Sequence, residues 1–443
     1  MPFLWSAGIT FLLSQLFYII SKDVPILKIT NREGFLTVTL SWFLVIFFGT
    51  LPFIFSNSIP SFVDAFFESC SGFTTTGSSI LTDIEALPYG ILFWRSLTHW
   101  IGGLGIVVLM IIVLPSLKTT GYQLFSLESS LQEKLLPKTK AIGIRFLFIY
   151  IGLTLFEVIL LYLGEMNLFD SICHSFGTIA TGGFSTKNTS VVEFSAYTQY
   201  VIIVFMFLSG ISFVVYYYLA KLALYKVRKN EELWFYMFIT IISGVLVTSI
   251  LLTKTDKGFE LAFREAFFQV VSVITCTGFG SADYLLWPQS GMLLLFLLMF
   301  AGGSTGSTSG GIKMARHLIA LKSIKSAFIK VRHPNVVSLV KLNQKTIPVK
   351  TNISILSFIV FYLFIFLIGS IVVVITGVDP VSSAGAVAAS MANLGPGLGT
   401  VGPMSNYGHL PDITKIVLTL LMIIGRLEIY TVFILFSKSF WRL

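Results

Sequence analysis

Charge is the scarcest feature of this sequence. Asp, Glu, Lys and Arg make up 12% of its 443 residues, against the roughly 25% of a soluble domain, and the mean hydropathy is +0.87. These values mark an integral membrane protein. The 42 Phe and the repeated apolar runs, each of about 20 residues, point to spanning helices rather than a barrel. Cysteine is nearly absent as well. Cys70, Cys173 and Cys276 form no CxxC and offer no metal-ligand spacing, so they read as small buried residues. The initiator Met lacks a basic n-region after it, and the apolar run 3–20 ends in no Ala-x-Ala site. That run is therefore a retained span and not a secretory signal.

The formal net charge is +9, which by itself would suit nucleic acid, but its distribution excludes that partner. Most of the 30 Lys and Arg fall in one alternating set of loops: Lys22, Lys28 and Arg32, then Lys118, Lys134, Lys138, Lys140 and Arg145, then Lys221 to Lys229, then the segment 313–350. Lys438 and Arg442 close the chain, while the opposite loops keep Lys187, Lys254, Lys257 and Lys415. By the positive-inside rule the basic loops are cytoplasmic and the others face outside. Segment 313–350 carries no acid, which suits an acidic partner or anionic lipid headgroups.

Spans are predicted at 3–20, 35–55, 89–115, 144–163, 197–222, 233–252, 287–300, 351–376 and 413–437. The run at 287–300 is too short to cross about 30 Å of hydrocarbon at 1.5 Å per residue. It is cut by Ala301-Gly-Gly-Ser-Thr-Gly-Ser-Thr-Ser-Gly-Gly311, and basic Met314 to Arg332 follows. A broken helix inside the protein explains this better than a solvent linker, because the element before the break is incomplete.

One polar, glycine-bearing stretch, Ser71 to Ser79, follows the apolar run Phe62 to Phe67 and recurs around Thr178–Phe184, Thr275–Gly280 and Asn393–Gly397. The first and third copies, Asp64–Gly77 and Glu265–Gly278, align without gaps, so the fold is a fourfold internal repeat. In each copy a short apolar helix opens near Asp64, Asp170, Glu265 or Ser382. It is too short to span, hence re-entrant, and it ends in small residues and glycine. Non-helical backbone at bilayer depth must be buried in protein or line a water-filled cavity. Four helix C-termini with exposed carbonyls converge there, a field that favours a cation. The candidate ion-binding backbone is Thr75, Thr76 and Gly77; Ala180, Thr181 and Gly182; Cys276, Thr277 and Gly278; and Asn393, Leu394 and Gly395. Close helix packing is the competing use of such glycines. The acids Asp64, Glu68, Asp170 and Glu265 either draw cations to the outer mouth or cap the short helices.

Together with Trp94-Arg95, Trp100-Ile-Gly-Gly-Leu-Gly-Ile106, Gly310-Gly-Ile-Lys313 and Gly425-Arg-Leu-Glu-Ile429, these copies resemble the Trk/Ktr/HKT potassium transporter superfamily, most closely its Trk-type membrane subunit, over about residues 30–443. The resemblance implies an all-α polytopic membrane protein with four helix–pore helix–helix repeats around a pseudo-fourfold pore, plus one N-terminal helix. The units fall at 1–34 (N-terminal helix and connector), 35–117, 118–230, 231–345 and 346–443. It further implies potassium uptake across a bacterial plasma membrane, a potassium ion held in the filter with no other cofactor, a homodimer, and a cytoplasmic ring of nucleotide-binding regulatory subunits. A gating loop is implied at Gly302, Gly303, Ser304, Thr305, Gly306, Ser307, Gly310, Gly311 and Lys313, contacted by Arg426. The family commonly has two helices ahead of the first unit, whereas this sequence shows one, at 3–20. The fourth copy departs from the Thr-rich pattern, which lowers the symmetry of the ion site. Gly77 leans toward potassium, since plant relatives with Ser there prefer sodium.

Arg426 sits inside the apolar run Ile416–Phe436, where an unpaired charge is costly; loop hydroxyls, loop carbonyls or Glu428 are its available partners. Gly302-Gly-Ser-Thr-Gly306 mimics a hydrolase elbow, but no His has an evident acid partner. His99 and His174 read as packing or capping residues before proton carriers. A sodium-permeable or sodium-coupled transporter of the same superfamily is the nearest alternative. An organic-solute carrier and a membrane-embedded enzyme stand further off.

Overall fold

The computed structural model describes residues 1–22, 30–108 and 139–441. Lys28, Lys118, Lys134, Lys138, Arg442, the end of the span predicted at 89–115 and the unit boundary at 117/118 lie outside the described residues. Among the described residues the regular structure is helical, apart from one two-residue hairpin, Lys341–Leu342 with Lys345–Thr346.

Helix α1 (Pro2–Ser21) lies against α2 (Asn31–Phe55) and buries only Ser6. Helix α2 opens the first unit with a capping box between Thr30 and Glu33, which satisfies two orphan N–H groups. The unit continues with pore helix α3 (Phe62–Phe73) and α4 (Tyr89–Val108). The second unit is α5 (Thr139–Leu163), pore helix α6 (Leu168–Ala180), and the pair α7 (Ala196–Ser209) and α8 (Phe213–Ala220), followed by a short α9 (Leu224–Arg228). The third is α10 (Glu231–Lys254), pore helix α11 (Phe259–Ile274), α12 (Gln289–Leu298) and, after the break, α13 (Met314–Arg332). The fourth is α14 (Val349–Ile375), pore helix α15 (Pro380–Ala392), α16 (Asp412–Arg426) and α17 (Ile429–Phe433).

Each pore helix packs on the long helices of its own unit. Between units, α4 packs on α6, α7 on α11 and α16 back on α3. That last contact joins the end of the chain to its first unit and makes the repeats a ring. The pore helices have 12, 13, 16 and 13 residues, all too short to span. Their N-caps are Ser61, Asn167, Gly258 and Asp379, three residues ahead of the expected Asp64, Asp170 and Ser382. Glu265 lies well inside its helix instead of in the first turn.

Among the described residues, five helices are long and apolar enough to cross a membrane: Pro2–Ser21, Arg32–Phe55, Gly143–Leu163, Glu231–Lys254 and Val349–Ile375. The runs expected as single spans at 197–222 and 413–437 are bent, by 94° after Ser209 and by 112° after Arg426. With the break at 301–311, the second long helix is interrupted in units two, three and four among the described residues.

Candidate functional site

All four pore helices end in the same turn. The residue after the last helical turn adopts left-handed backbone: Thr75 (φ 52°), Thr181 (φ 57°), Cys276 (φ 56°) and Asn393 (φ 55°). The next N–H then reaches back five residues, from Thr76 to Ser71 O at 2.8 Å, Gly182 to Gly177 O at 2.8 Å, Thr277 to Ser272 O at 2.9 Å and Leu394 to Ala389 O at 2.9 Å. This is the Schellman closure, which usually has glycine at the left-handed position. Thr there is costly because its branched Cβ crowds the backbone. Such strain persists only where the surroundings over-determine it, as at functional sites.

Beyond each closure a glycine turns at positive φ: Gly77 (83°), Gly183 (78°), Gly278 (83°) and Gly395 (98°). The second copy is therefore shifted by one from the expected Ala180, Thr181 and Gly182. Thr181, Gly182 and Gly183 are the equivalents of Thr75, Thr76 and Gly77, and Ala180 is the last residue of α6. The doubled glycine hid the register, and only the backbone angles separate the two choices.

The four turns close head to tail. A Cβ on Gly77 would lie 2.1 Å from Gly182 O, one on Gly183 2.1 Å from Thr277 O, one on Gly278 1.8 Å from Leu394 O, and one on Gly395 2.8 Å from Thr76 O. Each glycine thus abuts the carbonyl just before the glycine of the next unit, and the fourth returns to the first. Buried oxygens without partners remain at this level, Thr75 Oγ1 and Asn393 Oδ1 among them. Threonine hydroxyls brace the first and third turns, Thr74 with Thr76 at 2.8 Å and Thr275 with Thr277 at 2.7 Å. In the fourth, Asn393 donates to Thr76 Oγ1 at 3.0 Å and to Met422 O at 2.9 Å. The set offers oxygen donors only, which suits a hard monovalent cation.

The supports around this ring were not visible as a set in the sequence. Glu68, fully buried, pairs with Arg95 at 2.9 Å and accepts from Ile80 N at 2.9 Å and Ser79 Oγ at 3.0 Å. Arg95 also donates to Ser185 O at 3.2 Å and covers the Phe184 ring. This one ion pair ties the outgoing segments of units 1 and 2 together. His99 bonds Gly72 O at 2.8 Å and accepts from Phe184 N at 3.1 Å, so its Nδ1 carries the proton. Its ring also explains Gly182, where a Cβ would come within 2.5 Å of it. His174 spans Asp170 O and Ser185 Oγ. The acids weighed as outer-mouth charges have protein partners: Asp64 with Lys415, Asp170 with Thr186 Oγ1 at 2.6 Å, and Glu265 with Lys257. At the rim of the recess holding all four glycines, Glu85 bonds Lys187 at 3.2 Å and holds its ammonium above the ordinary lysine range.

The 301–311 loop crosses the C-terminal ends of the pore helices. Thr308 Oγ1 donates to Ile179 O at 3.1 Å, and a Cβ on Gly310 would lie 2.1 Å from Ala392 O. Gly302, Gly303, Ser304, Thr305, Gly306, Ser307, Gly310 and Lys313 are buried here, with Gly311 half-buried. Gly306 and Gly311 turn at φ 81° and 63°. Arg426 donates to Thr308 O at 2.8 Å, and Lys313 Nζ donates to Ser309 O. Glu428 pairs with Arg316 at 2.8 Å, not with Arg426. A further residue, Glu232, clamps both sides of the loop, accepting from Thr305 N at 2.6 Å and Ala315 N at 2.9 Å through one oxygen. It reads in sequence as an ordinary first-turn acid. Among the described residues Ser304 Oγ, in the elbow-like motif, has no hydrogen-bond partner.

The family model described as TrkH, cation transport protein, matches residues 8–442. The Trk system potassium uptake protein TrkH of Salmonella typhimurium is 36% identical over 423 residues, covering 94% of this chain and 87% of that protein. TrkH of Halomonas elongata is 35% identical, covering 99% and 92%. The crystal structure of the potassium transporter TrkH from Vibrio parahaemolyticus superposes with a TM-score of 0.89 at 32% identity, covering 100% of this chain and 92% of that one. The head-to-tail ring, the loop across it and this agreement over nearly the whole length converge: the chain belongs to the TrkH family of cation transport proteins.

Proposed function

We propose that this protein takes up potassium across a bacterial inner membrane, through the ring of Thr76, Gly182, Thr277 and Leu394 carbonyls acting as a selectivity filter. The observation that carries the reading is the closure of four positive-φ glycines onto four neighbouring carbonyls. Carbonyl rings of this kind replace an ion's hydration shell. The pore helices add the negative ends of their dipoles, and the residues fit potassium as cargo because every free donor is oxygen. The glycine recess faces outside and the basic segments face the cytoplasm. The 301–311 loop, held by Arg426 and Glu232, closes the pore below the filter and moves when the protein conducts. The working assembly is a homodimer in lipid, checked by a sedimentation mass of two chains in detergent, with a cytoplasmic nucleotide-binding regulatory ring on the basic face.

Rubidium uptake in bacteria stripped of their own potassium transporters tests the reading, with and without a regulatory subunit. Uptake that potassium competes away and sodium does not is the expected result. Absence of uptake at normal membrane expression overturns it.

A further inference from the structure

We infer that the turn between the second and third units, Lys221–Lys229, binds the phosphate headgroup of an anionic lipid at the membrane surface and is linked through α8 to the 301–311 loop. Lys221, Lys226, Arg228 and Lys229 are all exposed, and the sequence holds no acid between Glu193 and Glu231. Glu231 itself is held by Lys322, and Glu232 is taken up by the loop. Arg145 of α5, also exposed, joins the group by donating to the Tyr217 hydroxyl at 3.3 Å.

The lysines stand on aromatic rings. Lys221 lies 4.7 Å from the centre of Tyr217, Lys226 4.9 Å from Tyr218 and Lys229 4.3 Å from Tyr225. An ammonium resting on a ring face keeps N–H donors on its open side for an anion. Between these cations the chain turns apolar side chains outward, with Leu222 83% and Leu224 53% exposed. Leu222 closes the end of α8 in left-handed backbone at φ 54°, and Ala223 N reaches back to Tyr218 O at 2.9 Å. Glycine is the usual residue at such a closure, and a bulky side chain is disfavoured there. Leucine between lysines fits a segment whose apolar tips enter the acyl region while its cations meet phosphates.

Two helices set the level of this turn. The stretches of α5 and α10 that are long and apolar enough to cross a membrane begin at Gly143 and Glu231, beside Arg145 and Lys229. Trp234, in the first turn of α10 and 53% exposed, donates its indole N–H to Arg228 O at 2.9 Å and ties the turn to that level. Trp and Tyr concentrate where one end of the ring is apolar and the other wet. An acidic protein surface matches the lysines alone, whereas a leaflet matches the lysines and the leucines together.

Helix α8 carries the site inward. Its eight residues span roughly 12 Å at 1.5 Å per residue, and its first residue, Phe213, donates its N–H to Gly306 O of the loop at 3.0 Å. A headgroup held at Lys221 pins the outer end of this helix and steadies that bond. The lipid site stands apart from the potassium reading, although this consequence rests on the loop acting as the gate.

Tryptophan quenching by brominated lipid reads the site without any ion flux. The purified full chain is placed in phosphatidylcholine vesicles containing phosphatidylglycerol, with one lipid or the other brominated on its acyl chains. The Trp234 signal is the difference between each protein and its Trp234→Phe counterpart. Phosphatidylglycerol is expected to outcompete phosphatidylcholine at Trp234 by about fivefold or more, the worth of one lysine near an anionic surface. Combined Lys221→Gln, Lys226→Gln and Lys229→Gln should remove that preference. Raised salt weakens it in the unmodified protein, so the reading survives a variant that fails to fold. No preference in wild type, or an equal preference in the triple variant, overturns the inference. So does a triple variant that keeps the preference and loses only co-purification with a regulatory subunit, since the turn would then dock a protein. In anionic vesicles the triple variant should take up more rubidium than wild type, and in phosphatidylcholine alone the same amount; equal uptake in both removes the link through α8. Should neither protein transport, quenching still decides the site independently of the filter.

Discussion

At Gly77 a side chain has nowhere to go: φ is 83° and a Cβ meets Gly182 O at 2.1 Å. Left-handed backbone penalises any other residue by about 1 kcal/mol, and the contact forces the neighbouring carbonyl off the ring. Gly77→Ser is therefore expected to admit sodium, read as the ratio of rubidium to sodium uptake. The four positions are also predicted to rank. Alanine at Gly278, with 1.8 Å to Leu394 O, disturbs selectivity most, Gly77 and Gly183 follow, and Gly395, with 2.8 Å to Thr76 O, disturbs it least. Equal selectivity in all four variants would remove these glycines from the selecting role. The Glu68–Arg95 pair is a different kind of residue effect, since both side chains are almost fully buried. Truncating one partner of such a pair costs about 3–5 kcal/mol because the other charge is stranded. Arg95→Ala should lower the melting temperature sharply, and adding Glu68→Gln should restore part of it; a single variant that melts like wild type would show the pair to be dispensable.

Among elements, the 301–311 loop is held from two sides, by Arg426 on Thr308 O and by Glu232 on Thr305 N and Ala315 N. If it closes the pore, loosening either hold raises flux. Arg426→Ala, Glu232→Ala and a shortened loop should each increase rubidium uptake at equal expression, while Glu232→Gln, which keeps an acceptor oxygen, should stay near wild type. Unchanged or lower uptake in all of them would make the loop a scaffold. The loop and its arginine were legible in sequence because each violates the membrane rule around it, one as glycine-rich backbone and the other as a lone charge in an apolar run. The re-entrant helices were legible through repetition. What stayed hidden depends on tertiary contact. The bend after Ser209 falls at Ser209-Gly-Ile-Ser212, a step of small residues too short to mark a break by itself, where Gly210 abuts the Tyr236 hydroxyl and lends its carbonyl to Ser304 N. The bend after Arg426 depends on Glu428, turned to φ 63° and paired with Arg316 from another unit. Glu232 was invisible for the same reason, since an acid opening a helix needs no further explanation. The second copy's register, placed at Gly182 from the sequence, falls one residue later at Gly183, and backbone geometry shows it.

For the whole molecule, the asymmetry of charge behind the proposed orientation also offers a place for the proposed cytoplasmic partner. Helix α13 leaves the ring through Lys313 and Arg316, which are buried, and Lys322 is held by Glu231. Farther out, Lys325, Lys330 and Arg332 are exposed beside exposed Leu321, Ile324 and Phe328. A basic face interleaved with apolar residues suits either an acidic protein surface or anionic headgroups. The two differ in what they transmit. The inner end of α13 is one residue from Lys313, and its first turn shares Glu232 with the loop, so a protein that pulls on the outer end can reach the gate, whereas a fluid lipid surface exerts no directed pull. Lys325→Glu with Lys330→Glu is expected to abolish the response of uptake to the regulatory subunit and its nucleotide, leaving basal uptake intact because both side chains lie outside the ring. The same variant should lose salt-sensitive co-purification with that subunit. If regulation survives and only binding to anionic vesicles falls, the face rests on the membrane, and the gate must be reached by another route.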